Sequence, residues 1–244
     1  MNDAAVTPWR VMTWNILGAH HPDLEKIAAV ISEQHPDVAA VQEVQRAQLR
    51  RVAKQLGWQY AWARKHYPYS PLLWWRAEGI GILSPWAVSA PVRTSISPGV
   101  STWVYRHRVL LAVTITRRSS GLRVFNTHLA SHDADERLAQ AKRVAGRVGA
   151  DSSPCKILTG DLNTTNESEI EVLREFRAVG LTDAGGTVSN PAIAPSQRID
   201  YVLLPTAATV LSSHTPEGGE RWARLSDHLP VLVEFVVGLA VESG

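Results

Sequence analysis

The chain has 244 residues, 45% of them apolar and 20% charged, which is the composition of an ordinary soluble globular protein. With 16 glycines and a single cysteine, it is neither collagenous nor a disulfide scaffold, and its apolar content excludes intrinsic disorder. The 25 basic and 23 acidic residues leave a net charge of +2, so no basic tail indicates a nucleic-acid partner, although a local excess in a substrate groove would be enough.

Short runs rich in Val, Ile and Leu alternate with amphipathic stretches, a pattern typical of a layered α/β domain. The predicted strands are, in chain order, residues 10–14, 38–42, 80–83, 109–116, 122–126, 156–159, 199–204 and 230–237. Helices are predicted at 24–31, behind Pro22, and around 47–56, 134–148 and 167–176. Thr165 and Asn166 are candidate caps of the last helix.

Three features of the sequence bear on domain number, membrane segments and cellular compartment: linkers, apolar stretches and cysteine. We find no linker or charge run and expect a single domain over residues 1–244. The first ten residues do not resemble a signal peptide, and the most apolar stretch, 230–240, is too short to span a membrane. The lone Cys155 permits no intrachain disulfide, which fits a reducing compartment. We therefore expect a cytoplasmic monomer without a transmembrane segment.

Polar residues gather where the predicted strands end. Five strands border a cluster of Asn, Asp, Glu or His, and a sixth carries an acid within its run. The clusters are residues 13–15, 41–43, 126–128, 160–163 and 225–228, and the sixth segment is 198–201. Because strand ends in a packed sheet bring distant residues onto one rim, these side chains are candidates for a single site.

In their order and spacing, these clusters resemble the endonuclease/exonuclease/phosphatase superfamily, which includes DNase I-like nucleases, apurinic-site endonucleases, inositol phosphate phosphatases and sphingomyelinases. The motifs are Val-Gln-Glu, Asn-Thr-His-Leu, Gly-Asp-Leu-Asn, Arg-Ile-Asp-Tyr and Ser-Asp-His, and the resemblance extends from Asn15 to His228. It implies a four-layer α/β sandwich in which two mixed, mainly antiparallel sheets pack face to face between helices, with the site on one rim.

The resemblance also implies a divalent-cation site. Glu43 matches the metal-binding acid, Asn15 the asparagine that supports both metal and phosphate, and Asp227 would lie close to the metal or hold it through water. Carboxylate oxygens are hard donors that suit Mg²⁺. We expect Mg²⁺, for which Mn²⁺ can substitute, and whether one or two ions act stays open.

The same resemblance assigns roles around the scissile phosphate. His128 would hydrogen-bond the phosphate and stabilise charge on its oxygens, while Asp161 and Asn163 would orient the attacking water and contact the phosphate. His228 would be held by Asp200, which fixes the imidazole tautomer and raises its basicity, so that a neutral histidine can take a proton from water. Either Asp161 or His228 could be the general base.

Four further residues match the family pattern less firmly. Arg108 aligns with an arginine beside the phosphate, and substrate-binding and structural roles for it are equally open. Asp183 is predicted to be structural, and Arg137 and Gln140 to pack their helix.

The sequence departs from the patterns of two subfamilies, and these departures narrow the range of candidate substrates. Leu17 stands where apurinic-site endonucleases have an acid, and residues 161–165 and 198–201 lack the signatures of inositol phosphate phosphatases. The first hypothesis is a Mg²⁺-dependent phosphodiesterase, an endonuclease or exonuclease that cleaves DNA or RNA by in-line attack of activated water. The second is a phosphatase or phospholipid phosphodiesterase with a small or membrane-borne substrate. The third is a catalytically dead binding protein.

Aromatic and basic residues are interleaved in one part of the chain. They are Trp58, Tyr60, Trp62, Arg64, Lys65, Tyr67, Tyr69, Trp74, Trp75, Arg76 and Trp86. Such a segment can stack bases or enter a lipid interface, but large aromatics more often fill a core, and we favour the core. Arg221, Trp222 and Arg224 precede Asp227 and could flank the site.

Overall fold

Twelve strands and five helices are present in the residues that the computed structural model describes, 7–65, 76–97, 107–164 and 169–237. The strands are β1 (Trp9–Asn15), β2 (Val38–Gln45), β3 (Gln59–Arg64), β4 (Glu78–Ser84), β5 (Ala87–Ser95), β6 (Val109–Arg117), β7 (Ser120–His128), β8 (Lys156–Asp161), β9 (Leu181–Asp183), β10 (Asp200–Pro205), β11 (Ala208–His214) and β12 (Val231–Val237). The helices are α1 (Leu24–Gln34), α2 (Arg46–Leu56), α3 (Ala134–Gly149), α4 (Glu169–Arg177) and α5 (Glu220–Ala223).

The strands pair into two sheets of six. The order is β11-β12-β1-β2-β4-β3 in the first sheet and β5-β6-β7-β8-β10-β9 in the second. Only the β1–β2 and β7–β8 pairs are parallel among the described pairs, so both sheets are mixed and mainly antiparallel, as predicted.

Three apolar layers hold the sheets and helices together. The central layer lies between the sheets and contains Val11 and Val113, both fully buried. On the outer face of the first sheet, α1 and α2 contribute Ile27 and Leu49, and on the outer face of the second, α3 and α4 contribute Val144 and Phe176. The predicted four-layer α/β sandwich is confirmed.

Local capping explains where two of the predicted helices begin. The Asp23 carboxylate accepts hydrogen bonds from the backbone N–H groups of Glu25 and Lys26 at the start of α1, and Asp133 accepts one from Glu136 at the start of α3. The candidate caps Thr165 and Asn166 lie outside the described residues. No helix in the described ranges has both the length and the apolar character needed to cross a bilayer.

The eight predicted strands are all present, but the prediction omitted four others, β3, β5, β9 and β11. These four are the outer strands of the two sheets. An outer strand pairs on one side only and tolerates exposed polar residues and proline, so its sequence lacks the apolar pattern of an inner strand. Pro91 within β5 and the exposed residues of β11 are examples.

Candidate active site

Strand register brings the predicted site residues to one rim of the sandwich. In the second sheet, His128 at the end of β7 pairs with Asp161 at the end of β8, which pairs with Asp200 at the start of β10. In the first sheet, Asn15 ends β1, and the antiparallel neighbour β12 begins three residues after His228. Residues far apart in sequence therefore meet because both sheets end here.

Gly160 of the Gly-Asp-Leu-Asn motif is required by the close approach of β7 and β8. It has φ +148°, and an added Cβ would lie 2.1 Å from the Thr127 carbonyl oxygen. A side chain at this position would push Asp161 away from its neighbours.

Three polar side chains surround the Oδ2 atom of Asp161, whose residue is 1% exposed. The Asn15 Nδ2 group donates a 3.1 Å hydrogen bond to it. The Nε2 atoms of His128 and His228 lie 3.6 and 3.8 Å from it. The two sheets and the segment before β12 thus converge on one buried carboxylate oxygen.

His228 is held from its other ring nitrogen. Its Nδ1 lies 2.8 Å from Asp200 Oδ2, and the Ser189 hydroxyl donates a 2.6 Å hydrogen bond to the same oxygen. The Trp14 indole donates to the His228 carbonyl at 2.9 Å. Asp200 Oδ1 is buried and has no hydrogen-bond partner among the described residues. Ser189 was missed from the sequence because it lies in a loop without a motif, and only its contact with Asp200 identifies it.

Burial and neighbouring charges shift the pKa values of both partners in the Asp161–His228 pair. Burial and then the Asp200 charge raise the pKa of Asp161 from 3.8 to about 7, against the opposing effect of His228. Burial lowers the pKa of His228, but the Asp200, Asp161 and Asp227 carboxylates outweigh it and raise that pKa to about 10. Without a bound cation, the surrounding carboxylates therefore favour the protonated form of His228, and its role as a neutral base stays a prediction.

Glu43 is aimed by an irregularity in its strand. It has φ +53°, and the pairing of β2 with β4 shifts register between Val41 and Val44. Its Oε1 atom lies 3.7 Å from His128 Nδ1, whereas Asp161 Oδ2 lies 3.6 Å from Nε2 of the same ring. The His128 ring therefore lies between two carboxylates.

Two buried cations adjoin these carboxylates. Lys65, directly after β3, is 5% exposed, and its Nζ lies 3.7 Å from Glu78 Oε2 and 4.0 Å from Glu43 Oε1. Arg108 is 7% exposed and is attracted by Glu43 and Asp161. Burial and the nearby Arg108 charge lower the pKa of Lys65 to about 8, against the opposing effect of Glu43 and Glu78. From the sequence Lys65 stood only among the interleaved aromatic residues, because its partners come from β2 and β4.

Asn163 and α3 hold the loop that follows His128. The Asn163 amide donates to the Leu129 carbonyl at 3.1 Å, and its backbone N–H donates to Asp161 Oδ1 at 3.0 Å. The Gln140 side chain accepts from Ala130 N–H, and Arg137 donates to the Ala130 carbonyl. Arg137 and Gln140 therefore contact this loop in addition to packing their helix.

The remaining predicted residues occupy the margin of the site. Asp227 is exposed, and its backbone carbonyl accepts hydrogen bonds from Ala192 N–H and the Asn190 amide. Asp183 forms an ion pair with Arg198, which agrees with a structural role.

The described aromatic residues of the interleaved segment pack against the fold. Trp62 donates from its indole to the Val44 carbonyl, and Trp86 donates to Asp37 Oδ1. Trp58 packs against the core under α1 and α2. Tyr67, Tyr69, Trp74 and Trp75 lie outside the described residues. Trp222, before Asp227, packs edge-on against Trp14.

The donor chemistry fits a hard divalent cation. Asp161, Asp200 and His228 place one ligand atom each within 4.8 Å of one another, and Glu43 adds a carboxylate beside His128. Because Asp200 and His228 are hydrogen-bonded to each other, the carboxylate of Glu43 and the exposed carboxylate of Asp227 are available for an ion, and Asp161 lies between Asn15 and the two histidines. Oxygen donors of this kind are the ligands that Mg²⁺ and Mn²⁺ prefer.

Comparisons with known proteins identify the family and the fold of the chain. The profile of the Endonuclease/Exonuclease/phosphatase family matches residues 12–228. No match was found among curated proteins. An endonuclease/exonuclease/phosphatase from Beutenbergia cavernae DSM 12333 is 23% identical with a TM-score of 0.75, over 96% of this chain and 72% of that one.

Two phosphatase structures are also similar. A mannosyl-6-phosphatase from Bacteroides thetaiotaomicron VPI-5482 is 18% identical with a TM-score of 0.72, over 93% of this chain and 99% of that one. ANGEL2, a 2',3'-cyclic phosphatase, is 15% identical with a TM-score of 0.72, over 96% of each chain. At these identities the likeness shows a shared fold.

Proposed function

The chain belongs to the Endonuclease/Exonuclease/phosphatase family and is a phosphoric ester hydrolase, and from this premise we propose that it uses Mg²⁺ and the rim around Asp161 to direct water at phosphorus. The observation that carries the proposal is the convergence of Asn15, His128 and His228 on Asp161 Oδ2. Hydrogen-bond donors placed around one buried acid can bind a phosphate and polarise a water molecule.

We assign the cation to Glu43, with Asn15 and Asp227 in support. When bound, the ion polarises a phosphoryl oxygen and stabilises the leaving alkoxide. The Asn15 amide contributes twice in the protein itself, because Nδ2 donates to Asp161 and Oδ1 accepts from Leu17 N–H. Asp227 would act from the solvent side of the rim.

We assign the proton of the attacking water to Asp161. Burial and the Asp200 charge raise the pKa of Asp161 above that of an ordinary carboxyl in the cation-free protein, which makes it a stronger base, and its Oδ2 atom lies at the centre of the rim between Asn15 and the two histidines. His228, kept cationic by Asp200, would stabilise negative charge on the phosphate oxygens, as would His128 from the other side. Asn163 would position Asp161 and the loop after His128.

Two substrate classes are supported to different degrees. Cleavage of DNA or RNA stays the first prediction for the phosphodiesterase activity, but Trp62 and Trp86 are half-buried and use their indole N–H groups within the fold, which does not favour them as a stacking surface for bases. A phosphatase acting on a small phosphate ester is the second candidate, and the buried Lys65 and Arg108 favour it. The buried cations would neutralise a compact, highly charged phosphate group.

The activity is tested with metal-stripped protein to which Mg²⁺ or Mn²⁺ is restored. Plasmid nicking, oligonucleotide digestion, a chromogenic phosphodiester and a chromogenic phosphomonoester are assayed in parallel. We expect hydrolysis that EDTA abolishes, and a loss of about 100-fold or more in Asp161→Asn and Glu43→Gln. The exposed Asp135→Asn and Glu171→Gln are matched controls. No hydrolysis in any assay, or full activity of Asp161→Asn, would refute the proposal.

A further inference from the structure

Lys65 is a buried ammonium with unused hydrogen-bonding capacity. An ammonium has three N–H donors, and the acids nearest to Nζ are Glu78 at 3.7 Å and Glu43 at 4.0 Å. Both distances are longer than a charge-assisted hydrogen bond, which is about 2.7 to 2.9 Å. Glu78 accepts a weak hydrogen bond from Lys65, and two acids cannot engage all three N–H groups, so at least one donor is left for another acceptor although the residue is only 5% exposed.

The guanidinium of Arg108 also has hydrogen-bonding capacity that the described residues do not use. It is 7% exposed, and its Nη1 atom is buried without a hydrogen-bond partner among the described residues. Leaving a charged donor buried and unpaired costs free energy, so such a group commonly awaits a ligand. Arg108 is attracted by Glu43 and Glu78, the two acids that flank Lys65, which places both cations around the same pair of carboxylates.

The charge balance of this cluster depends on Glu43. In the protein alone, Lys65 and Arg108 face Glu43 and Glu78, with Asp161 as a further acid that attracts both cations. Once a divalent cation takes up the charge of Glu43, as in the proposed function, the two buried cations lose one of the acids that neutralise them and keep Glu78 and Asp161. The cluster is then complementary to an additional anion.

We propose that Lys65 and Arg108 together bind the non-bridging oxygens of the substrate phosphate and select a terminal phosphate over a bridging one. This assignment rests on the proposed function and narrows its substrate class to phosphomonoesters. A phosphomonoester has a second pKa of about 6 and carries a charge of about −2 at pH 7. A phosphodiester carries −1 and gains less from the second cation. Glu78 is the residue that positions Lys65.

Binding without turnover provides the first test. Inorganic phosphate is titrated by calorimetry into the protein with Mg²⁺ present, because the cluster is complementary to an added anion only when a cation has taken up the charge of Glu43. The readout requires no turnover, and the same titration in EDTA should show weaker binding. We expect saturable binding that is weakened about 10- to 100-fold in Lys65→Met, the change produced by removing one charge-assisted hydrogen bond. Lys65→Arg should keep most of the affinity, and the exposed Lys142→Met should bind like the unaltered protein.

Substrate selection provides the second test. With Mg²⁺ present, kcat/KM is measured for p-nitrophenyl phosphate and for bis-p-nitrophenyl phosphate. We expect Lys65→Met to reduce the monoester value about 10- to 100-fold and the diester value much less, so that the ratio of the two falls. Equal losses on both substrates, or none, would overturn the assignment of Lys65 even in an active enzyme.

A second variant serves as the control for loss of folding. Since Lys65→Met leaves Glu43 and Glu78 facing each other, the protein is also made as Lys65→Met with Glu78→Gln, which removes one acid together with the cation. Circular dichroism and thermal midpoints identify which form is folded, and the ratio is read from that form. If the unaltered protein hydrolyses neither substrate, the proposed function fails, whereas phosphate binding with Mg²⁺ present still decides the role of Lys65.

Discussion

The side-chain amide of Asn15 donates a 3.1 Å hydrogen bond to Asp161 Oδ2, and this bond joins the ends of two strands that lie in different sheets. Both residues are buried, at 2% and 1% exposure. The bond also lowers the pKa of Asp161, in opposition to burial and the Asp200 charge, which raise it more. One hydrogen bond therefore links the two sheets at the rim and limits the rise in the pKa of the proposed base.

Replacing Asn15 by alanine should reduce kcat strongly while the protein stays folded. The lost donor positions Asp161, and removing one donor from a preorganised site costs about 10²- to 10³-fold in rate. Asn15→Asp keeps the shape but places a second carboxylate beside Asp161, so it should also be less stable at pH 8 than at pH 5. Rates and urea unfolding at both pH values measure this. A kcat of Asn15→Ala equal to that of the unaltered protein would contradict it.

Cation binding should stabilise the fold through Glu43. A ligand that binds only the folded state at a hundredfold excess over its Kd adds about 2.7 kcal/mol to the free energy of unfolding. We expect the thermal midpoint of EDTA-treated protein to rise when Mg²⁺ or Mn²⁺ is added, and Glu43→Gln to lose most of this rise. The control Glu171→Gln should respond like the unaltered protein. An undiminished rise in Glu43→Gln would remove Glu43 from the cation site.

A strand could be predicted from the sequence when its own residues carry the pattern that burial imposes. β1, β2, β7 and β8 are inner strands, so their apolar runs and the polar residues at their ends were visible in the sequence. β3 and β11 are outer strands: in β3 only the small Ala61 and Ala63 are buried, and β11 is mostly exposed, so neither carries the run of Val, Ile and Leu by which the inner strands were predicted. Inner strands are covered on both faces and paired on both edges, and this burial requires the apolar runs that made them predictable.

The same distinction applies within the site. Asp161 and His228 were predicted because their motifs resemble a family pattern. Lys65 and Ser189 were not, because each acquires its role only through partners from other segments, Glu43 and Glu78 for Lys65 and Asp200 for Ser189. No spacing along the chain encodes such a contact.

A buried amide bridge beneath the rim should matter for stability. Gln42 donates to Thr13 Oγ1 at 3.0 Å and to Asn126 Oδ1 at 2.7 Å, and Asn126 donates to the carbonyls of Val41 and Gly81. Both amide residues are 0% exposed, and the bridge links β2 to β7 across the central core.

We expect Gln42→Leu to lower the free energy of unfolding by about 1 to 3 kcal/mol, because Asn126 is left without its buried donor. The double variant with Asn126→Leu should lose less than the sum of the two single losses, since it removes both partners together. Urea unfolding in EDTA measures all three variants, with the exposed Gln55→Leu as control. Strictly additive losses would show that the two amides do not act as a unit.

The buried charge of Asp161 should make cation-free protein less stable as the pH rises. Burial, and then Asp200, raise the pKa of this carboxyl from 3.8 to about 7, so the folded state holds its proton more tightly than the unfolded state. The corresponding stability is present below pH 4 and is lost progressively as the pH rises to about 7. His228 acts in the same direction at higher pH, because its pKa is raised from 6.5 to about 10.

The variant Asp161→Asn separates the contribution of the Asp161 carboxyl to the pH dependence of stability from that of His228. Relative to the unaltered protein, this variant should gain stability steadily between pH 4 and pH 7 and reach an advantage of roughly a few kcal/mol, because its side chain has no charge to desolvate. Urea unfolding at closely spaced pH values in EDTA measures the difference, with Asp135→Asn as the exposed control. Parallel stability curves for Asp161→Asn and the unaltered protein across that interval would mean that Asp161 ionises as freely as a surface acid. A residue that destabilises the fold in this way, and whose loss also abolishes hydrolysis, is retained for chemistry rather than for folding.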